Sequence, residues 1–72
     1  MNSSPTADRI CQAAIRTATR DGILAMTLDN VAKEAGISKG GVMYHFPTKE
    51  QLISGMLQYF GSQLERVLTT RV

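Results

Sequence analysis

Between Thr27 and Lys49 the chain gathers side chains suited to holding an anion. Thr27, Ser38, Lys39, Tyr44, His45 and Lys49 lie around two adjacent glycines, Gly40 and Gly41. Hydroxyl, phenol, imidazole and ammonium groups all donate hydrogen bonds, and phosphate oxygens accept them. From Gly36 to Lys49 there are Lys39, His45 and Lys49 and no acid. That is a mild positive patch in a chain whose net charge is only +2. Taken singly, each group has a plainer use. A lone histidine is usually a satisfied structural residue, a surface lysine is usually solvated, and a tyrosine near a helix end is usually half core. Their proximity and the absence of acids favour the anion-binding reading.

The glycine pair sharpens it. Ser38 caps a short helix, Ser38–Tyr44, that ends before Phe46-Pro47. Each glycine in a helix costs about 1 kcal/mol relative to alanine. Two turns can hardly spare that, unless the glycines let the backbone approach another surface closely. The free N–H groups of that first turn, the dipole and Lys39 would then meet phosphate. The plainer alternative is a frayed loop. Val42 and Phe46 should face inward with Ile37, flanked by Met43 and Tyr44.

The elements that must position this segment follow from the pattern. Ser4-Pro5 starts a first helix, with Asp8 near its positive end and Arg16 and Arg20 near its negative end. Ile10, Ala14 and Ala18, with Cys11 and Ile15, form a narrow apolar stripe, and Ala13, Ala14 and Ala18 suggest close approach of another helix. Gly22 ends it. After the apolar connector from Ile23 to Met26, Thr27 caps a second helix with Asp29 in its first turn. Leu28, Val31, Ala32 and Ala35 share one face, while Asn30, Lys33 and Glu34 lie outside it. Gly36 ends that helix and Ile37 anchors the turn. Helix, tight turn and second short helix make a helix-turn-helix. Thr48 and Gln51 fit a capping box opening a last helix that carries Leu52, Ile53, Met56, Leu57, Phe60, Leu64, Val67 and Leu68, with Tyr59 to one side. A helix of ~20 residues is about 30 Å long, more than the unit beside it covers. Leu64, Val67 and Leu68 therefore lack a partner in this sequence.

The expected fold is all-α: a three-helix bundle with a helix-turn-helix, followed by a long fourth helix. The organisation read is 1–4 as a flexible arm, 5–47 as the core and 48–72 as a linker helix. Seventy-two residues make at most one domain of marginal stability. Cys11 is the single cysteine, so no internal disulfide can form, and its apolar neighbours suggest a buried thiol. No acid pair, nucleophile–base pair or metal-ligand spacing points to an enzyme, a cofactor or a metal. A polar N-terminus without a secretory signal, and the lack of a membrane-spanning run, give a cytoplasmic expectation.

The run Thr27-Leu28, Val31-Ala32, Ala35-Gly36-Ile37-Ser38, Gly40, Val42, His45-Phe46-Pro47-Thr48-Lys49 and Leu52 resembles the DNA-binding domain of TetR-family transcriptional regulators, and the match reaches upstream to Arg9-Ile10, Ala13-Ala14 and Gly22. The resemblance covers about residues 9–57. It implies a bacterial, nucleoid-associated repressor that binds double-stranded operator DNA as a homodimer. It also implies a larger C-terminal helical domain that dimerises and binds a small-molecule inducer, with the fourth helix as the link. Carried over by position, Ser38, Lys39, Gly40 and Gly41 would lie at the major groove. Thr27, Tyr44, His45 and Lys49 would hold phosphates.

Three departures bear on this. Met43 stands where tyrosine is usual, and the neighbouring Tyr44 is expected to replace it in part. Thr17-Ala18 replace a usual leucine–phenylalanine pair, so Met26, Phe46 or Met56 should fill the core below. The effector domain lies outside these 72 residues, which are expected to be a piece of a longer protein. Since glycines carry no side chain to read with, base readout would fall to Lys39, Asn30, Met43 and Tyr44 and to DNA shape. The alternative from another class is a small helical protein-interaction module using the apolar face of the last helix. A ligand sensor is disfavoured, because four short helices leave little room for a pocket.

Overall fold

The computed structural model describes residues 4–70. They form four helices: α1 Pro5–Asp21, α2 Leu28–Ala35, α3 Lys39–His45 and α4 Lys49–Thr70. Among the described residues there is no strand. The caps read from the sequence form at every helix start. Ser4 Oγ accepts from the Ala7 N–H at 3.0 Å, Thr27 Oγ1 from Asn30 at 3.0 Å, Ser38 Oγ from Gly41 at 3.0 Å and Thr48 Oγ1 from Gln51 at 3.1 Å. Each satisfies a donor that the first turn leaves unpaired. At Thr48 only this half of the expected box forms among the described residues. Residues 1–3 of the expected arm lie outside the described residues.

Gly36 is in the left-handed region at φ +75°, and this closes α2. Its N–H donates to the Ala32 carbonyl at 2.9 Å, and the Ile37 N–H donates to the same carbonyl at 3.0 Å. The chain thereby reverses into α3 within three residues, Gly36, Ile37 and Ser38.

Ile10 of α1, Met26, Val31 of α2, Val42 of α3 and Leu52 of α4 are fully buried, and Met56 closes the core beside them. Burial of one such side chain contributes roughly 1.5–3 kcal/mol. Met26 and Met56 both belong to that core, and Phe46 packs against it half-buried. The α1 stripe differs in detail from the apolar pattern. Ala13 and Thr17 are fully buried, whereas Ile15 and Ala18 are half-buried. Thr17 can occupy the interior because its hydroxyl donates to the Ala13 carbonyl at 2.9 Å. In the connector only Met26 goes inward; Ile23 and Leu24 are exposed.

Polar contacts lock α1 onto α2. Arg9 Nη2 donates to the Ala35 carbonyl at 2.8 Å, at the end of α2. Arg16 and Arg20 both donate to Glu34, at 3.0 and 3.1 Å. Those hydrogen bonds hold the Glu34 carboxyl below the usual carboxylate range. Cys11 is buried as expected, and burial, then the nearby Asp8 charge, pushes its thiol up to about 11.

Gly55, unremarked in the sequence pattern, is where α4 meets Phe46, the residue that caps the end of α3. A Cβ there would overlap the ring of Phe46. Farther along α4 the covering ends: Leu57, Phe60, Leu64, Val67 and Leu68 are all exposed. No helix of the described residues is long and apolar enough to cross a membrane.

Candidate nucleic-acid interface

Val42 is the one buried residue of α3, and it fixes which side of the helix faces out. With Val42 inward and Ile37 packed on the core, Lys39, Gly40, Met43 and Tyr44 are exposed and Gly41 is half-buried. Tyr44 is 83% exposed and Met43 40%. The phenol thus stands clear of the protein, while Met43 keeps part of its side chain against it.

Neither glycine of the pair is required by the fold. A Cβ at Gly40 would meet only Ser38 Oγ, at 3.9 Å. One at Gly41 would sit 3.4 Å from Ser38 Oγ and 3.5 Å from Ile37 Cδ1, ordinary contact distances. Neither has a positive φ; the positive-φ glycines are Gly22 and Gly36. Two glycines therefore weaken α3 with no internal gain.

The remaining candidates divide into those turned outward and those tied to the protein. Thr27 and Ser38 accept backbone N–H groups as caps, which leaves each hydroxyl proton free to donate outward. Lys39 Nζ lies 3.7 Å from Asp29 Oδ1, with both side chains more than half exposed. Asn30 Nδ2 donates to the Ala25 carbonyl at 3.4 Å, bracing the connector. Lys49 Nζ donates to the Leu24 carbonyl at 3.2 Å, which fastens the start of α4 to the α1–α2 connector. An ammonium has three donors, so this bond leaves two.

Tyr44 and His45 meet edge-to-face, with ring centroids 5.0 Å apart and planes at 89°. They serve different sides. Tyr44 is exposed, whereas His45 is half-buried and lines an open groove of about 720 Å³ between α1 and α4, with Asp8, Cys11, Phe46 and Tyr59. No hydrogen bond or ring contact among the described residues joins Lys49 to that pair. Lys49 and the Tyr44–His45 pair, which the sequence groups together, are thus held by separate contacts. The groove is also more space than the sequence suggested, although it opens widely to solvent. Among the described residues no cluster of His, Cys, Asp and Glu could hold a metal ion.

Sequence reasoning missed two features of this surface. Asp29 was legible as an acid favouring the start of α2, but its pairing with Lys39 depends on how the turn folds α3 back. The Leu24 carbonyl carries no side-chain signal at all.

Comparison with known proteins agrees with this geometry. The family model described as bacterial regulatory proteins, tetR family, matches residues 10–56. An uncharacterized HTH-type transcriptional regulator of Bacillus subtilis, YerO, is 38% identical over 53 residues, which is 74% of this chain and 18% of YerO. The HTH-type regulator TtgW of Pseudomonas putida is 35% identical over 52 residues, 72% of this chain and 39% of TtgW. The HTH-type transcriptional repressor Rv3405c of Mycobacterium tuberculosis is 34% identical over 59 residues, 82% of this chain and 31% of that protein. The chain therefore spans well under half the length of the relatives it matches. No solved structure matches it. With a capped helix–turn–helix at Thr27–His45 and a family match over residues 10–56, the chain belongs to the tetR family of bacterial regulatory proteins and carries that family's N-terminal DNA-binding domain.

Proposed function

We propose that these residues are the sequence-specific, double-stranded DNA-binding module of a transcriptional repressor, with α3 entering the major groove. The observation that carries this reading is the glycine pair. Gly40 is exposed on the outward side of α3 and Gly41 is half-buried beside it, and nothing inside the protein requires a glycine at either position. Their cost is offset if the backbone must approach a surface outside the protein. Lys39, Met43 and Tyr44 flank them on the same exposed side and are assigned to base edges and the adjoining backbone. Thr27, Ser38 and Lys49 are assigned to phosphates. Asn30 and His45 act mainly by holding the connector and the end of α3, and any contact they make to DNA is secondary. The role needs no catalysis.

Residues 48–72 are assigned to a linker helix toward a C-terminal domain that dimerises the protein and binds an inducer. The exposed stripe from Leu57 to Leu68 supports this assignment, because such a face calls for a cover. It also supports the second reading, a protein-interaction surface, and the two are compatible. Dimerisation would set two α3 helices about 34 Å apart, one turn of DNA. A single module should bind near the non-specific range, roughly 10⁻⁴ to 10⁻⁶ M.

The test is a titration of the chain against random-sequence duplex DNA at two salt concentrations. Salt-dependent binding is expected, and Lys49→Ala should lower the slope of log K against log salt by about one. An unchanged slope removes Lys49 from the phosphate contacts. No salt-dependent affinity at all leaves only the protein-interaction reading.

A further inference from the structure

The ion pair between Lys39 and Asp29 joins the first turns of the two helices of the helix-turn-helix. Its two members stand in opposite electrostatic situations. Asp29 is in the first turn of α2, where the helix dipole favours a carboxylate. Lys39 is the first residue of α3, where the same effect disfavours an ammonium. Asp29 therefore supplies the counter-charge that the start of α3 does not. The other acid of α2, Glu34, is committed to Arg16 and Arg20 on the α1 side. Lys39 is thus the cation of the outward side of α3, and a carboxylate accompanies it at 3.7 Å.

We propose that Asp29 is a specificity-determining residue that keeps Lys39 from acting as a general phosphate anchor and reserves it for a base edge. The proposal rests on the DNA-binding reading above. A free ammonium is a mobile point charge that gains from any phosphate within reach, whatever the sequence. Paired with Asp29, it releases few counterions on non-specific DNA. A guanine edge offers two acceptors, O6 and N7, that compensate for loosening the pair. Other base edges do so less well. Asp29 thereby lowers affinity for all sequences and lowers it least for the preferred one.

The experiment compares the unmutated chain with Asp29→Asn, Asp29→Glu, Lys39→Ala and the Asp29→Asn/Lys39→Ala double variant. The probes are random-sequence duplex DNA and the duplex that the unmutated chain selects from that pool. Helix content by circular dichroism checks folding, which an exposed position should not disturb. Asp29→Asn should bind random duplex about three- to five-fold more tightly, the scale of an exposed ion pair, and steepen its salt slope by about one unit. Its preference for the selected duplex should fall by a similar factor. Asp29→Glu should restore the original slope and preference. In the Lys39→Ala background, Asp29→Asn should leave the salt slope unchanged. If Asp29→Asn steepens the slope equally with and without Lys39, Asp29 acts through its own charge and the proposal is overturned while the DNA-binding reading stands. An unchanged slope and preference in Asp29→Asn overturns it as well. If the unmutated chain shows no salt-dependent binding, the DNA-binding reading itself fails and takes the proposal with it.

Discussion

The two halves of α4 have much the same apolar periodicity and opposite surroundings. Leu52, in the near half, is fully buried in the core, whereas Leu64, in the far half, is 49% exposed. Gly55 is filled from outside by the ring of Phe46, whereas Gly61 has nothing near the position of a Cβ. Periodicity reports which residues share a face, and it is silent on whether anything covers that face. The near half is a structural part of the helix-turn-helix unit. The far half is a stretch of helix whose burial depends on a partner.

That contrast can be broken most directly by truncation. Leu52→Ala should destabilise the chain by about 2–5 kcal/mol in urea unfolding, and Leu64→Ala should lie within about 0.5 kcal/mol of the unmutated chain. A large loss at Leu64 would mean that copies of the chain already cover the far half in solution.

The glycines give the next largest effect. Gly61→Ala should stabilise by about 0.5–1 kcal/mol through helix propensity. Gly55→Ala should fall short of that variant by about 1–3 kcal/mol, since the Phe46 ring must move. Equal gains at both positions would show that the ring shifts freely and that α3 is not seated through it.

A smaller effect is expected at the turn, where the covered unit reverses direction. Gly36→Ala forces a side chain into the left-handed region and should cost about 1–2 kcal/mol. Read as a urea midpoint, no loss would place the rigidity of the turn elsewhere.

The smallest effect concerns charge. The Glu34 carboxyl is held low in the folded chain by Arg16 and Arg20, so its contribution is full above the unfolded value of about 4.5. It is lost as pH falls below that through the folded value. Urea midpoints taken across that range should drop more steeply for the unmutated chain than for Glu34→Gln. Parallel profiles would assign the acid sensitivity to other carboxylates.

The comparison also separates what was legible in the chain from what was not. The caps at Ser4, Thr27, Ser38 and Thr48 were legible because a cap is a contact between residues three apart. The turn at Gly36 was legible because it needs a backbone state that glycine favours. The inward placing of Val42 and Ile37 was legible from their spacing, whereas Met43 and Tyr44, read as flanking that inward side, prove exposed. The bond of Lys49 to the Leu24 carbonyl, the turning of His45 into the α1–α4 groove and the hold of Arg9 on Ala35 were not. Each joins segments distant along the chain, and a backbone carbonyl leaves no mark in residue type.

By itself, then, the sequence determined the four helices, their ends and the side of α3 that faces inward, since propensity, capping and short-range periodicity are local. Tertiary structure alone decided that Thr17 is interior, that Gly55 seats Phe46, that Asp29 meets Lys39 and that Met56 is the last buried residue of α4. Those outcomes depend on how the helices are placed against one another, and it is the packing of side chains between distant segments that sets that placement.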